Sequence, residues 1–170
     1  LNAGFGSGLM VEGFGMLLNN QMDDFSIKPG VPNIYGLIGA SANAIAPGKR
    51  MLSSITPTFV EGPRGYMIVG SPGGSLITGM VLLATLDWMD GKSAQQIVAA
   101  PRIHHQYQPD VLTYEAAALT AEEKSELARR GHELRERETW GNLQVITYDA
   151  ATKSVSAASD PRGVGTAGLY

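Results

Sequence analysis

A chain of 170 residues, 44% hydrophobic and 17% charged, has a globular composition and can bury about two-thirds of the surface its unfolded form would expose. The formal charge of -3 argues against nucleic acid as the main partner, because phosphate binding needs concentrated Lys and Arg. With no cysteine, disulfides, thiol nucleophiles and Cys-ligated zinc are excluded, and no apolar run approaches the roughly 20 residues of a membrane helix. A single domain over residues 1–170 is expected. Because the chain opens Leu-Asn without Met, it reads as a piece of a longer polypeptide.

The first elements are irregular. Gly4-Phe5-Gly6-Ser7-Gly8 reads as a flexible loop, and Gly15 to Leu18 as a short apolar strand. Asn19 to Asp24 concentrates amides and carboxylates; in an extended segment Asp23 and Asp24 would face opposite ways, so one of them would enter a site. Residues 29–50, rich in Pro, Gly, Asn and Ser, read as a long connection of the kind that forms lids and binding loops. Ser54–Val60 and Tyr66–Val69 are β-rich runs joined by a hairpin turn at 61–65.

Regular structure dominates the remainder. Gly70-Ser71-Pro72-Gly73-Gly74-Ser75 leads into an apolar helix from Leu76 to Trp88, with Met80, Trp88 and Met89 expected in the core. Ser93 caps a short helix that Pro101 stops. Thr120 and Glu123 have capping-box spacing, and the helix they open ends at Gly131. Strands are expected within 132–138, 143–148 and 155–158, giving a mixed α+β class with antiparallel hairpins.

Fifteen of the 21 glycines lie in residues 1–90, while residues 91–170 hold ten of the 16 acidic and nine of the 13 basic groups. Close backbone approach to a ligand therefore favours the first half, and the charge-dense second half reads as solvated surface. The segment 70–75 has neither the Lys of a phosphate-binding Walker loop nor the Gly-x-Ser-x-Gly order of a nucleophile elbow. Two readings remain open: an oxyanion hole made by the amides of Gly73 and Gly74, or a tight strand-to-helix turn. Asn2, Gln21, Asp23 and Asp24 suit either an ammonium ligand or a polar turn, and their order does not fit a calcium loop. Ser53 and Ser54 could bond a carboxylate or cap a turn. His104-His105 lacks the i,i+4 spacing of a zinc helix, so neither metal nor cofactor is expected. A serine hydrolase using Ser75 with His104 or His105 is a further reading.

Six segments in order resemble the small subunit of the gamma-glutamyltransferases (gamma-glutamyltranspeptidases). They are Leu-Leu-Asn-Asn-Gln-Met-Asp-Asp-Phe at 17–25, Lys-Pro-Gly-Val-Pro-Asn-x-Tyr-Gly at 28–36 and Lys-Arg-x-Leu-Ser-Ser at 49–54. The others are Gly-Ser-Pro-Gly-Gly-Ser at 70–75, Ala-Pro-Arg-x-His-His-Gln at 100–106 and Ala-Ser-Asp-Pro-Arg at 158–162. The resemblance implies an N-terminal-nucleophile hydrolase fold, a four-layer αββα sandwich that would be incomplete in these residues. It also implies a self-cleaving precursor whose new N-terminal Thr attacks a γ-glutamyl amide.

Carried over by position, Gly73 and Gly74 become oxyanion donors, and Asn2, Gln21 and Asp24 hold the substrate's α-ammonium. Ser53 and Ser54 lie near its α-carboxylate, and Tyr35 belongs to a lid. The nucleophilic Thr and the first strand would lie upstream of Leu1, and an Arg for the substrate carboxylate would come from the large subunit of the same precursor. The 170 residues alone are accordingly expected to be inactive and, with a bare sheet edge, prone to self-association. Family resemblance further implies a periplasmic, extracellular or membrane-associated location. An acylase relative with a cephalosporin-type substrate and a non-catalytic γ-glutamyl-binding homologue are the alternatives.

Overall fold

The computed structural model describes residues 4–168, and the chain divides into two compact units, Leu1–Ser53 and Ser54–Tyr170. In the first unit, β1 (Met10–Val11) pairs antiparallel with β2 (Met16–Leu17). Beyond this small hairpin the unit is built from turns. Gln21–Asp24 forms one 3-10 turn and Ser41–Asn43 another, and isolated bridges join Ser26 to Ala44 and Pro32 to Ile38. The expectation of an extended 19–24 segment is corrected here. The Asn19 side chain accepts the Gln21 N–H at 3.0 Å, and the Asp23 N–H reaches the Asn20 carbonyl at 3.1 Å, which winds the backbone. At three residues per turn the two aspartates diverge by about 120° instead of 180°.

The second unit holds β3 (Thr58–Gly62), β4 (Gly65–Gly70), α1 (Leu76–Met89), α2 (Ala94–Ala99), β5 (Ile103–His104) and β6 (Leu112–Tyr114). It continues with α3 (Ala121–Arg129), β7 (Leu134–Glu136), β8 (Gln144–Asp149) and β9 (Ser154–Ser159). An antiparallel sheet runs in the order β3-β4-β8-β9, and its register sorts the side chains by face. Met67, Val69, Val145 and Ala158 face inward, where they form one core with Ile77, Met80, Ala84, Trp88, Ile97 and Val98 of α1 and α2. The opposite face carries Phe59, Ile68 and Ile146 in one row and Tyr66, Tyr148 and Val155 in the next, with the two tyrosine rings stacked at 4.9 Å.

Local chemistry fixed the helix ends as read. Ser93 and Gln96 form a reciprocal capping box at α2, as Thr120 and Glu123 do at α3. Three expectations are corrected. Met89 at the end of α1 is 67% exposed, because helical spacing places it on the outward stripe with Leu82 and Leu86, opposite the buried Met80, Ala84 and Trp88. The β-rich run from Ser54 pairs only from Thr58 onward; the Thr56 and Thr58 hydroxyls instead bond carbonyls two residues back. The short strands β5 and β6 lie in segments where no strand was expected, and β6 pairs with β7 in parallel through the α3 crossover. The class is α+β.

Candidate functional site

The 70–75 segment leaves β4 and enters α1. Gly73 (φ 144°) and Gly74 (φ 57°) both sit in backbone regions that L side chains rarely adopt, and a Cβ on Gly73 would come within 3.0 Å of the Met80 methyl. Their carbonyls accept the first-turn amides of Leu76 (3.1 Å) and Ile77 (3.2 Å). Neither glycine's own N–H donates to another described residue, although Gly74 is buried. Two amides are thus left free at the positive end of a 14-residue helix, an arrangement suited to developing negative charge.

The segment is fastened on both sides. Ser71 accepts the Asn142 N–H at 3.3 Å and donates to the Pro72 carbonyl at 2.8 Å. Ser75 donates to Gln106 Oε1 at 2.8 Å, and His104 Nε2 meets that same oxygen at 3.0 Å. Ser75 and His104 therefore share an acceptor and do not bond each other, while His105 faces Asp110 at 2.9 Å. A Ser75 nucleophile activated by either histidine lacks its base contact.

In the first unit, Gln21 and Asp24 open and close the 3-10 turn, and Gln21 Oε1 is a buried oxygen without a hydrogen-bond partner among the described residues. Burial, followed by the charges of Asp24 and Asp23, raises the Tyr35 phenol above its ordinary range, so Tyr35 stays protonated and lies within electrostatic reach of both carboxylates. Its loop is shaped by Asn33, whose side-chain oxygen accepts the N–H groups of Tyr35 (2.9 Å) and Leu37 (3.0 Å). Ser53 ends this unit and Ser54 begins the second. Asn2 lies outside the described residues.

Sequence reasoning missed Asn43. Its amide donates to the Asp24 carbonyl at 2.7 Å and accepts the Leu52 N–H at 3.1 Å, so it links the aspartate turn to the segment running toward Ser53. A cavity of about 480 Å³ in this unit is lined by Asp24, Ser26, Lys28, Asn33, Asn43 and Leu52 among others.

A second omission is the charged network that supports the 140–142 segment. Arg102, Glu115 and Asp160 are buried, and Arg162 joins them. The Glu115 carboxylate accepts Arg162 Nε (2.9 Å) and Nη2 (2.5 Å) together with the N–H groups of Arg102 (3.1 Å) and Trp140 (3.3 Å). Asp160 accepts the Leu143 N–H (2.8 Å), the Arg162 N–H (3.0 Å) and Arg162 Nη1 (3.1 Å), and it pairs with Arg102. Burial pushes the Asp160 carboxyl up, but the hydrogen bonds from Arg102, Leu143 and Arg162 outweigh it and hold the group below its ordinary range. Two guanidinium groups balance two carboxylates, which accounts for Arg102 in the 100–106 segment and for Asp160 and Arg162 in the 158–162 segment. Among the described residues no cluster of three or more His, Cys, Asp or Glu could hold a metal ion.

The family model described as gamma-glutamyltranspeptidase matches residues 1–170. The glutathione hydrolase proenzyme of Escherichia coli K12 is 43% identical over 166 residues, covering 96% of this chain and 28% of that protein. Its counterpart in Pseudomonas aeruginosa is 45% identical over 171 residues, covering 97% and 30%. The crystal structure of a mutant Helicobacter pylori gamma-glutamyltranspeptidase superimposes with a TM-score of 0.90 at 42% identity, over 95% of this chain and 89% of that one. The chain spans less than a third of the length of these two curated relatives. With a family match along its whole length, the chain belongs to the gamma-glutamyltranspeptidase family.

Proposed function

We propose that the protein containing this chain cleaves γ-glutamyl amides such as glutathione and passes the γ-glutamyl group to water or to the amine of an amino acid or peptide. The attacking group is an N-terminal Thr hydroxyl upstream of Leu1, with its own α-amine as base, and an ester to that Thr is the intermediate. As the amide carbonyl becomes tetrahedral, its oxygen takes up negative charge, and the Gly73 and Gly74 N–H groups stabilise it. Donors of this kind each contribute about 2.7–4 kcal/mol to the transition state. Asp24, Gln21 and Asn2 hold the α-ammonium, Ser53 and Ser54 the α-carboxylate, and Tyr35 covers the site. No cofactor is needed.

The observation that carries this reading is the pair of free glycine amides at the start of α1, both held at positive φ. The buried Gln21 Oε1, without a donor among the described residues, supports the ammonium assignment, since an acceptor without a donor is costly inside a protein. The same proposal includes the four-layer sandwich. The open sheet face, with Phe59 76% and Tyr66 44% exposed, suits packing against a second sheet from the large subunit of the precursor. An exported or membrane-tethered location belongs to the proposal on family resemblance alone.

The test is hydrolysis of a γ-glutamyl anilide by the full-length processed protein and its Asp24→Asn variant. Losing one partner of a charge pair costs about 2–5 kcal/mol, so kcat/KM should fall about 30- to 5,000-fold. Unchanged kinetics would overturn the ammonium assignment. Absence of activity in the parent protein would favour a non-catalytic homologue, and preference for a non-glutamyl acyl group an acylase.

A further inference from the structure

The free amides of Gly73 and Gly74 can serve an oxyanion only if their loop is held still, and the glycines themselves, without side chains, cannot supply that restraint. Pro72 fixes one φ angle, and Met80 packs beneath Gly73. The polar restraint comes from outside the loop. Gln106 Nε2 donates to the Gln108 carbonyl at 3.0 Å, which sets the orientation of the amide and turns Oε1 toward α1. That oxygen can only accept. The contacts at 2.8 Å from Ser75 Oγ and 3.0 Å from His104 Nε2 therefore require the serine hydroxyl proton and a proton on Nε2 to point at it. One amide side chain thus gathers the residue next to Gly74 and a ring on β5.

Ser75 occupies the capping position of α1, yet its side chain makes no capping bond there. A serine at this place ordinarily satisfies an amide of the first turn. Here the hydroxyl is spent on a residue 31 positions away, and the first-turn amides of Leu76 and Ile77 are taken instead by the Gly73 and Gly74 carbonyls. On the other flank, Ser71 accepts from Asn142 across 71 residues of sequence, and the buried network of Arg102, Glu115 and Asp160 fixes Trp140 and Leu143 on either side of that contact.

We propose that Ser75 and Gln106 are positioning residues for the oxyanion amides: their hydrogen bond, shared with His104, holds Gly73 and Gly74 in the geometry that the developing oxyanion needs. This rests on the oxyanion reading above. Neither side chain touches substrate in this scheme. Their effect therefore falls on the chemical step and not on γ-glutamyl binding.

The experiment uses the full-length processed enzyme with Ser75→Ala, Gln106→Met and Ser75→Thr, a γ-glutamyl anilide as substrate, and hydrogen exchange at the Leu76 and Ile77 amides. Those amides bond to the Gly73 and Gly74 carbonyls and so report the loop without reference to activity. Misplacing catalytic groups by about 1 Å can cost up to about 100-fold. Ser75→Ala and Gln106→Met should each lower kcat about 10- to 100-fold with KM changed less than about threefold, and should speed exchange at Leu76 and Ile77. Ser75→Thr, which keeps the hydroxyl, should recover most of both effects. Unchanged exchange in Ser75→Ala and Gln106→Met overturns the brace. Faster exchange with unchanged kcat leaves the brace standing and removes the oxyanion role from Gly73 and Gly74, which also defeats the proposal. Equal loss of secondary structure in both variants would assign the pair to folding and overturn it too.

Discussion

The two units of the chain are organised on opposite principles. Among the described residues before Ser54, only Phe25 and Ser26 are buried, while Phe5 and Phe14 are each 78% exposed. The second unit closes a continuous apolar core between one sheet face and two helices. What holds the first unit in shape is a set of polar ties from side chain to backbone, from Asn19, Asn33, Asn43 and Lys49. Each such tie contributes about 0.5–1.5 kcal/mol net, whereas burying one Met, Val or Trp contributes more. Gln21 and Asp24, proposed to hold the substrate ammonium, and Tyr35, proposed as a lid, thus belong to a unit with little core of its own, and Gly73 and Gly74 to the unit that has one.

The most direct way to break this contrast is hydrogen exchange along residues 1–170 expressed alone. Opening free energies should be near zero over most of 4–53 and should reach the global value in β4, β8 and α1. Uniform protection across Ser53 would abolish the distinction. With so much apolar surface bare, including Phe59 and Tyr66 on the open sheet face, the same preparation should self-associate, and sedimentation should show species larger than a monomer.

The next largest effect concerns the buried charges of the second unit. Asp160→Ala leaves Arg102 buried without its carboxylate and should destabilise the unit by about 3–5 kcal/mol, read by denaturant unfolding with loss of the sheet signal. The Asp160 carboxyl is held below its unfolded value, so its contribution is complete above pH about 4 and is lost as pH falls through the lower folded value. Acid unfolding of the parent should therefore steepen below pH about 4, and Asp160→Asn should flatten that dependence.

This network also marks the boundary of what could be read from sequence. The caps of α2 and α3 were legible because Ser93 precedes a short helical run and Thr120 and Glu123 are three residues apart, the distance at which a helix start brings them together, although the Gln96 half of the α2 box was not read. The special backbone of 70–75 was legible because paired glycines before an apolar helix have few other uses. Arg102 and Asp160 are 58 residues apart, and Glu115 and Arg162 are 47 apart. No periodicity joins them, and only the fold brings opposite charges together. The winding of Asp23 and Asp24 was missed for a related reason: the Asn19 side chain, not hydrophobic patterning, decides that backbone.

A smaller effect sharpens the contrast from the side of the first unit. Asn43→Ala removes the donor to the Asp24 carbonyl and the acceptor for the Leu52 N–H at once, leaving two backbone groups to find water. The cost should be about 1–3 kcal/mol. Because the first unit has almost no core to transmit it, the loss should appear as faster exchange and proteolysis within 20–53, with the unfolding midpoint of the second unit unchanged. A fall in that midpoint would mean that the two units unfold together.

The smallest effect comes from a tie of the same kind placed in the second unit. Thr120→Ala deletes the hydroxyl that accepts the Glu123 N–H at 3.2 Å and donates to its carboxylate at 3.0 Å, while the residue-120 N–H, the larger cause of the lowered Glu123 carboxyl, stays in place. A lost cap typically costs about 1 kcal/mol. Helix α3 has no buried residue, so the change should fray it locally and lower the unfolding midpoint slightly, with γ-glutamyl kinetics of the full protein unaltered. Asn43→Ala and Thr120→Ala remove comparable hydrogen bonds. If the first alters turnover and the second does not, what matters for catalysis is where a polar tie sits and not how strong it is. Equal kinetic losses would instead make global stability the controlling quantity.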